Sequence, residues 1–471
     1  MGEEISGTHF RHEEFQRFRM GLHTETELVS EWYASNHFSN QGFVAGLELE
    51  MCLVDASGYP SPSNEALIKA MNSPYVVPEL SQFNVEFNVE PGSPKGDGIQ
   101  ALSTRLKETW EECRAAAKGL GLSVLSIGIL PTLSDDHLVL ENMSRQNRYH
   151  ALNEQVMRLR RGRPVRLDIC GAEHLVSEHL DVMLEAGATS LQLHLQVPQE
   201  RSSDAYNLAM LLSAPMVALA ANSPMLFGKR LWQETRVPLF EQAVAMDGPM
   251  NRVTFGTGYA PKDLTLLFRE NENLFPVLLP LKCEQEPEKL PHLRLHNGTI
   301  WRWNRPILGF DSAGQPHLRI EHRVMAAGPT VIDMTSQIAF FYGLMLDQLA
   351  NDLPAIEDQL PFISTWNNFY DAARLGLKAN ISWLDGKRWP MSKLILEVLL
   401  PSAQRGLVEL GVESKSIDTW LQVITDRVAT GKTGAQWQTE FFNRNCGDSA
   451  ALVREYRSRQ DSGEPVHQWS Y

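Results

Sequence analysis

The sequence predicts an α+β protein in which a mainly antiparallel sheet comes first and helices gather at the C-terminal end. Three observations predict it. Segments that alternate apolar and polar residues recur between Phe43 and Val324, the period of a strand with one face on a core. From about Thr335 onward the apolar residues recur at helical spacing instead. Strands followed by helices, without a repeating strand–helix–strand pattern, mark the α+β class. The expected division is an α+β domain over residues 1–345 and a helical region over residues 346–471 packed on it.

The elements follow in order. Residues Glu13 to His37 read as one or two helices. FVAGLELEMCLVD (Phe43 to Asp55) alternates and ends at the turn Ala56-Ser57-Gly58. QFNVEFNVEPG (Gln82 to Gly92) alternates and stops at Pro91-Gly92. Ile99 to Leu120 carries helical periodicity, is stopped by Gly119 and Gly121, and leads into an apolar strand, SVLSIGILP. Leu175 to Ala186 reads as a helix and Thr189 to Val197 as a strand. Ser203 to Ala221 is an apolar helix closed by Asn222-Ser223-Pro224. Thr299 to Arg305 and His317 to Val324 alternate again. Beyond them, SQIAFFYGLMLDQLA, STWNNFYDAARLGLKANI, MSKLILEVLL, SIDTWLQVITDRVA and GAQWQTEFFNR all suit helices, so the last quarter is expected to be all-helical.

Composition bounds the function. The 471 residues, 43% of them hydrophobic, can bury a large core, as two to three domains or as one catalytic unit with helical additions. Lys and Arg number 43 against 57 Asp and Glu, a formal net charge of −14. That surface repels phosphate backbones and anionic lipid, which argues against nucleic-acid or membrane partners. No apolar run is long enough to span a bilayer. The polar, acidic start, with Glu3 and Glu4 after Gly2, has neither a secretory h-region nor an acylation pattern. The five cysteines are scattered without a CxxC pair, so neither a zinc ribbon nor a disulfide framework is expected, and a cytoplasmic protein is.

Four of the strands carry unusual polar faces. Residues i and i+2 share a face about 7 Å apart. Glu48 and Glu50 share one, and Asn84, Glu86, Asn88 and Glu90 another. Gln192, His194 and Gln196 share a third, and Arg319, Glu321 and Arg323 a fourth. A sheet with one wet face gives such alternation for solubility alone. Yet Glu and Asn are depleted from strands, and a solvated face has little need of His and Gln set between Leu and Val. If the four strands are neighbours, their carboxylates converge on one surface. Two carboxylates about 5 Å apart repel by about 3 kcal/mol at an effective dielectric near 20, so several together need cations. Oxygen ligands with one imidazole suit Mg²⁺ or Mn²⁺, not zinc. Divalent ions with an arginine beside them are the apparatus of phosphoryl transfer, and Arg323 is the candidate for the arginine, with a structural ion pair to Glu321 as the alternative.

GLELEMCLVD, VEFNVEPG, SLQLHLQV, PMVALAANSPMLFGKRLWQETR and RIEHRVMAAGPTVIDM, in this order, resemble the motifs of the glutamate–cysteine ligases of the bacterial and plant-like type, within the glutamine-synthetase-like carboxylate–amine ligases. The resemblance runs from about Phe43 to Thr335. It implies a glutamine-synthetase-like curved sheet flanked by helices, metal ligation by Glu48, Glu50, Glu86, His194 and Glu321, and phosphate or substrate-carboxylate contacts by the catalytic candidates Arg236 and Arg323. Asn88 and Gln192 would line the pocket. It also implies ATP, two or more Mg²⁺ ions (or Mn²⁺), and small-molecule substrates. ATP would phosphorylate a carboxylate, ordinarily the γ-carboxylate of glutamate, and an amine such as cysteine would attack the acyl phosphate. LRLHNGTIWRWNRPILGF and the helical C-terminus match the family less closely, which leaves the amine and the acid open. The alternatives are a guanidino-kinase-like phosphotransferase and a catalytically silent binding or regulatory protein.

Other features compete for attention. Gly431-Lys432-Thr433 imitates the end of a Walker A loop, but Asp426 stands where its glycine is required. Gly256-Thr257-Gly258 lacks the third glycine of a dinucleotide fingerprint, because position 261 is Pro261. His174 and His179 are expected on a helix at a spacing unsuited to one metal, and His292 and His296 are expected to hold none. In Trp301 to Arg305, alternation groups Trp301, Trp303 and Arg305 opposite Arg302 and Asn304. Arg305 is the candidate nucleotide or substrate contact there, and aromatic packing with a stacked arginine is the other reading. Arg145 and Arg148, and the basic run Arg158 to Arg166, are expected to be solvated or to face an anion.

Overall fold

The computed structural model describes residues 7–246, 251–351 and 354–471. The start of the chain discussed above, Gly2, Glu3 and Glu4 included, lies outside the described residues. The alternating segments form β1 (Val44–Val54), β2 (Val76–Pro78), β3 (Asn84–Gly92), β4 (Ser123–Leu125), β5 (Val165–Cys170), β6 (His174–His179), β7 (Ser190–Val197), β8 (Asn304–Phe310) and β9 (Pro316–Ala326). Seven of them make one antiparallel sheet in the order β8-β9-β7-β1-β3-β2, with β4 on the end of β1. The α+β class and the antiparallel, helix-flanked sheet are therefore as expected.

The helices that matter for the site are α1 (His12–Ala34), α2 (Ser202–Ala220), α3 (Arg236–Ala243), α4 (Pro291–Gly298), α5 (Val331–Ala350) and α6 (Leu400–Glu409). One face of the sheet is apolar. Leu47, Leu49 and Met51 of β1, Val85 and Phe87 of β3, Leu191, Leu193 and Leu195 of β7, and Leu318 and Ile320 of β9 are all buried, each contributing about 2 kcal/mol relative to exposure. Helices α2 and α5 cover that face. The Tyr342 hydroxyl of α5 bridges the carbonyls of Gly46 and His194 at 2.9 Å each, and Phe341 stacks on His322 at 4.5 Å. From α2, the Tyr206 hydroxyl donates to the Asn304 carbonyl at 3.0 Å. The polar face is left for the site. The boundary expected at residue 345 falls inside α5, which runs on to Ala350.

Some expectations need correction. Leu175 to Ala186 is not a helix: Leu175 opens within β6, which pairs with β5 in a separate hairpin, and only Met183–Gly187 turns helically. The strand in SVLSIGILP ends at Leu125. Past it, Gln460 of the C-terminal helix Ser449–Ser462 takes over the ladder's work, accepting from the Ser126 amide at 3.1 Å and donating to its carbonyl at 2.8 Å. Alternation through Thr299 to Arg305 breaks at Trp303, between a two-residue strand and β8. The last quarter is helical except for a short hairpin, Asn380–Ser382 with Arg388–Pro390. Among the described residues no helix is long and apolar enough to cross a membrane.

Candidate active site

Strand pairing brings the four polar faces together. β1 lies between β3 and β7, so Glu50 stands opposite Glu86, and Glu48 stands opposite Asn88 on one side and Gln192 on the other. β9 continues beyond β7, with Glu321 opposite His194, and β8 beyond it, with Arg305 opposite Glu321. All five expected metal ligands fall into two groups whose ligand atoms lie within 4.8 Å of one another: Glu48, His194 and Glu321 in one, and Glu50, Glu79 and Glu86 in the other.

Glu79 is the member that sequence reasoning missed. It follows β2 directly, and the pairing of β2 with β3 sets it beside Glu86. Burial, then the charges of Glu50 and Glu185, pushes its carboxyl up to about 8. Burial and the charges of Glu48, Glu79 and Glu50 raise Glu86 well above the usual carboxylate range. Burial also raises Glu50, against the pull of Arg323 and Arg236. The first group behaves oppositely. Burial would raise Glu48, but the His194 charge 3.3 Å away holds it down at about 2. Glu321 is held below the carboxylate range, against burial, by Arg305, Arg323 and His194.

Glu79 Oε1, Glu86 Oε2 and both ring nitrogens of His194 are buried without a hydrogen bond, an expensive condition for polar atoms unless a ligand takes them up. Hard carboxylate oxygens with one imidazole match Mg²⁺ or Mn²⁺. The residues present fit such ions.

The remaining candidates hold these carboxylates in place. Gln192 donates to Glu50 Oε1 at 2.9 Å and accepts from Arg323 Nη1 at 2.6 Å. The Ser190 amide donates to Glu50 Oε2 at 2.7 Å, and Asn88 donates to Glu86 Oε1 at 3.0 Å. Arg305 grips both oxygens of Glu321 at 2.8 and 2.9 Å, and Arg323 Nη1 reaches Glu321 Oε2 at 2.9 Å. Arg323 sits where the β7–β9 register shifts, between His322 and Met325. The carbonyls of Arg323 and Val324 are taken by the buried guanidinium of Arg236, at 3.4 and 3.2 Å. The Asn222-Ser223 turn explains how α3 delivers it. Ser223 Oγ donates to Glu234 and accepts from the Arg236 amide at 3.2 Å. Burial lowers the Arg236 pKa, opposed by Glu234 and Glu50.

The competing features resolve as structural. Gly431 is the left-handed cap of one helix, φ 66°, and Thr433 the N-cap of the next, so Gly431-Lys432-Thr433 is a helix–helix turn. His174 and His179 lie on a strand and pair with Asp168 at 2.8 Å and Asp135 at 3.1 Å. Arg302 is buried against Glu270 and Asn271, and Trp303 packs on Phe240 and Phe369. Arg145 pairs with Glu65 at 3.5 Å, and Arg148 stacks over Tyr149. In the basic run, Arg160 donates to the carbonyls of Ala245 and Pro164.

The fold, an antiparallel sheet covered by helices on one face, is shared with solved ligases. A glutamate–cysteine ligase from Francisella tularensis, in complex with AMP, superposes with a TM-score of 0.56 at 11% identity, covering 92% of this chain and 96% of that one. A bifunctional glutathione synthetase from Pasteurella multocida gives the same score and identity over 92% of this chain and 55% of its own. The fold is that of this class of ligase. The profile of glutamate-cysteine ligase family 2 matches residues 44–455, and the chain belongs to that family. The glutamate–cysteine ligase EgtA of Mycobacterium tuberculosis is 29% identical over 202 residues, and the match spans 42% of this chain and 42% of that protein.

Proposed function

We propose that the chain is an ATP- and Mg²⁺-dependent ligase that activates an amino-acid carboxylate, with the γ-carboxylate of glutamate foremost, and joins it to an amine, with cysteine foremost. The supporting observation is the pair of clusters on one face of the sheet, Glu48, His194 and Glu321 in one and Glu50, Glu79 and Glu86 in the other. Membership of glutamate-cysteine ligase family 2 supports the same reading. Divalent cations held by these residues would draw charge from the β- and γ-phosphate oxygens of ATP.

A carboxylate is a poor electrophile until one of its oxygens becomes a leaving group. In the proposed reaction that oxygen attacks the γ-phosphorus, the bond to ADP breaks, and an acyl phosphate forms. The amine nitrogen then attacks the acyl carbon, phosphate leaves with that oxygen, and the nitrogen loses a proton as the amide forms. Arg323 supplies positive charge beside the clusters. Gln192 ties Arg323 to Glu50, so the two clusters and the arginine are held in one hydrogen-bonded frame. Arg305 orients Glu321, and Arg236 fixes the backbone that carries Arg323. Such prior orientation removes the need to reorganise during reaction.

The test uses purified chain with ATP, Mg²⁺, glutamate and a panel of amines. ADP and phosphate should appear in step with an amide detected by mass spectrometry. Glu50→Gln and Glu321→Gln should each reduce turnover about a hundredfold or more while the chain still melts cooperatively. A stable phosphorylated product without amide would mean a phosphotransferase. Absence of Mg-ATP binding by calorimetry would mean a silent family member.

A further inference from the structure

Trp303 joins the two site arginines to a carboxylate outside the clusters. It is buried where the alternation breaks, between the strand Trp301–Arg302 and β8. Its main chain is tied on both sides. The amide donates to the Thr254 carbonyl at 3.0 Å, and the carbonyl accepts from the Arg323 amide at 3.0 Å. The ring faces Arg236, whose guanidinium carbon is 5.9 Å from the ring centroid, within reach of a cation–π contact. Arg236 has few other restraints. Its bonds to the Val324 and Arg323 carbonyls are long, at 3.2 and 3.4 Å, and Glu234 is 3.9 Å away. Its Nε is buried without a hydrogen bond.

Glu241 gives the indole its orientation. Phe240 meets the ring edge-on and Phe369 at a tilt, with centroids 5.9 and 5.7 Å away. Such apolar contacts leave the ring's one polar atom undirected. The indole N–H donates to Glu241 Oε1 at 2.8 Å, and a buried donor left without an acceptor is costly. The Tyr370 hydroxyl donates to the same oxygen at 2.6 Å, so Oε1 is pinned by two donors. Tyr370 lies on the helix Phe362–Leu375 of the C-terminal region. That helix also holds the approach to α3. Its Ala373 and Arg374 carbonyls accept from the Glu234 and Gln233 amides at 2.9 and 3.2 Å. The segment that carries Arg236 is thus gripped twice, by main chain before α3 and through Glu241 in its last turn.

We propose that Glu241 is a positioning residue for both arginines: through Trp303 it sets the guanidinium of Arg236 and the main chain of Arg323, and Tyr370 fixes Glu241 in turn. The consequence for turnover rests on the ligase reading above; the positioning itself does not. With the carboxylate truncated, the indole N–H loses its acceptor and only apolar contacts hold the ring against Arg236. The Trp303 carbonyl moves with the ring, and the Arg323 amide loses its partner for part of the time. A neutral acceptor oxygen in the same place preserves the arrangement, because the two hydrogen bonds, not the charge, direct the ring.

The experiment compares Glu241→Ala, Glu241→Gln and Tyr370→Phe in the full chain, by amide hydrogen exchange and by the ATP-dependent assay. In Glu241→Ala the Arg323 amide should exchange about tenfold faster while the amides of α1 keep their rates. The kcat should fall about tenfold, with KM for the amine changed by about twofold at most. Glu241→Gln should restore both the exchange rate and kcat. Tyr370→Phe leaves the bond to Trp303 in place and should speed Arg323 exchange about threefold. Faster exchange that glutamine reverses supports the positioning even if the unaltered chain makes no amide, a result that would end the ligase reading alone. An unchanged Arg323 rate in folded Glu241→Ala overturns the proposal. So does a raised rate with kcat unaltered in an active chain. Should Glu241→Ala fail to fold, Tyr370→Phe decides by the same amide: an unmoved rate overturns the proposal.

Discussion

Glu79 shows how much of a site can depend on one residue that carries no pattern. Its carboxyl lies with those of Glu50 and Glu86, and its Oε1 has no hydrogen bond. Glu79→Gln preserves shape and removes a carboxyl that gives up its proton only when a cation is there to take its place. The expected result is a Mg²⁺ requirement raised about tenfold in a titration of ATP turnover, with a Tm at neutral pH equal to or above that of the unaltered chain because the buried group no longer titrates. An unchanged Mg²⁺ requirement would remove Glu79 from the cluster. The other ligand candidates were legible because each sits on a strand long enough to display a period of two: Glu48 and Glu50 in GLELE, Glu86 in VEFNVE, His194 in LQLHLQ. Glu79 follows the three-residue strand Val76–Pro78, too short for any period, and only its long-range pairing with β3 brings it to the site. The supporting bonds of Gln192 to Glu50 and of Arg236 to the Arg323 carbonyl are likewise products of tertiary packing.

Between elements, the position of the seven-stranded sheet depends on α5, and α5 depends on its crossing with α6. Gly343 and Gly406 make that crossing close. A Cβ on Gly343 would sit 2.5 Å from the Ala403 carbonyl, and one on Gly406 would run into the Gly343 carbonyl. Asp347 seals the next turn, accepting from Ser402 Oγ at 2.6 Å and from Arg405 at 2.7 and 3.0 Å. Gly406→Ala must therefore part the helices, and overpacking of this kind costs about 1–3 kcal/mol. A lowered urea midpoint at an unchanged slope would be the expected reading, whereas an unmoved midpoint would show that the crossing is looser than described. Helix α5 itself was plain in the sequence because its apolar residues outrun any strand. The β5–β6 hairpin was not, since HLVSEHL suits a helix as well as a strand and only pairing with Val165–Cys170 decides between them.

For the molecule as a whole, folding removes ionisable groups from water, and that sets how stability varies with pH. His296 is 3% exposed, with Nε2 donating to the Asn271 carbonyl at 3.1 Å. Burial lowers it to about 4, against that hydrogen bond and with Arg252 adding to the fall. Its ordinary value is 6.5, so the unfolded chain takes up the proton first as pH falls. The stability this group contributes is present above pH 6.5 and is lost as pH drops toward the folded value of about 4. Glu241 acts in the other direction. Burial raises it to about 7 against hydrogen bonds from Tyr370 and Trp303, so its contribution is lost as pH rises from the ordinary 4.5. Stability is thus eroded from both sides. His296→Gln can keep the bond to Asn271 without a titrating ring. The loss of unfolding free energy between pH 7 and pH 5 should be smaller in this variant by about 2 kcal/mol, read from urea unfolding at both pH values. Parallel losses in the variant and the unaltered chain would show that His296 titrates alike folded and unfolded, and that the acid sensitivity of the molecule arises elsewhere.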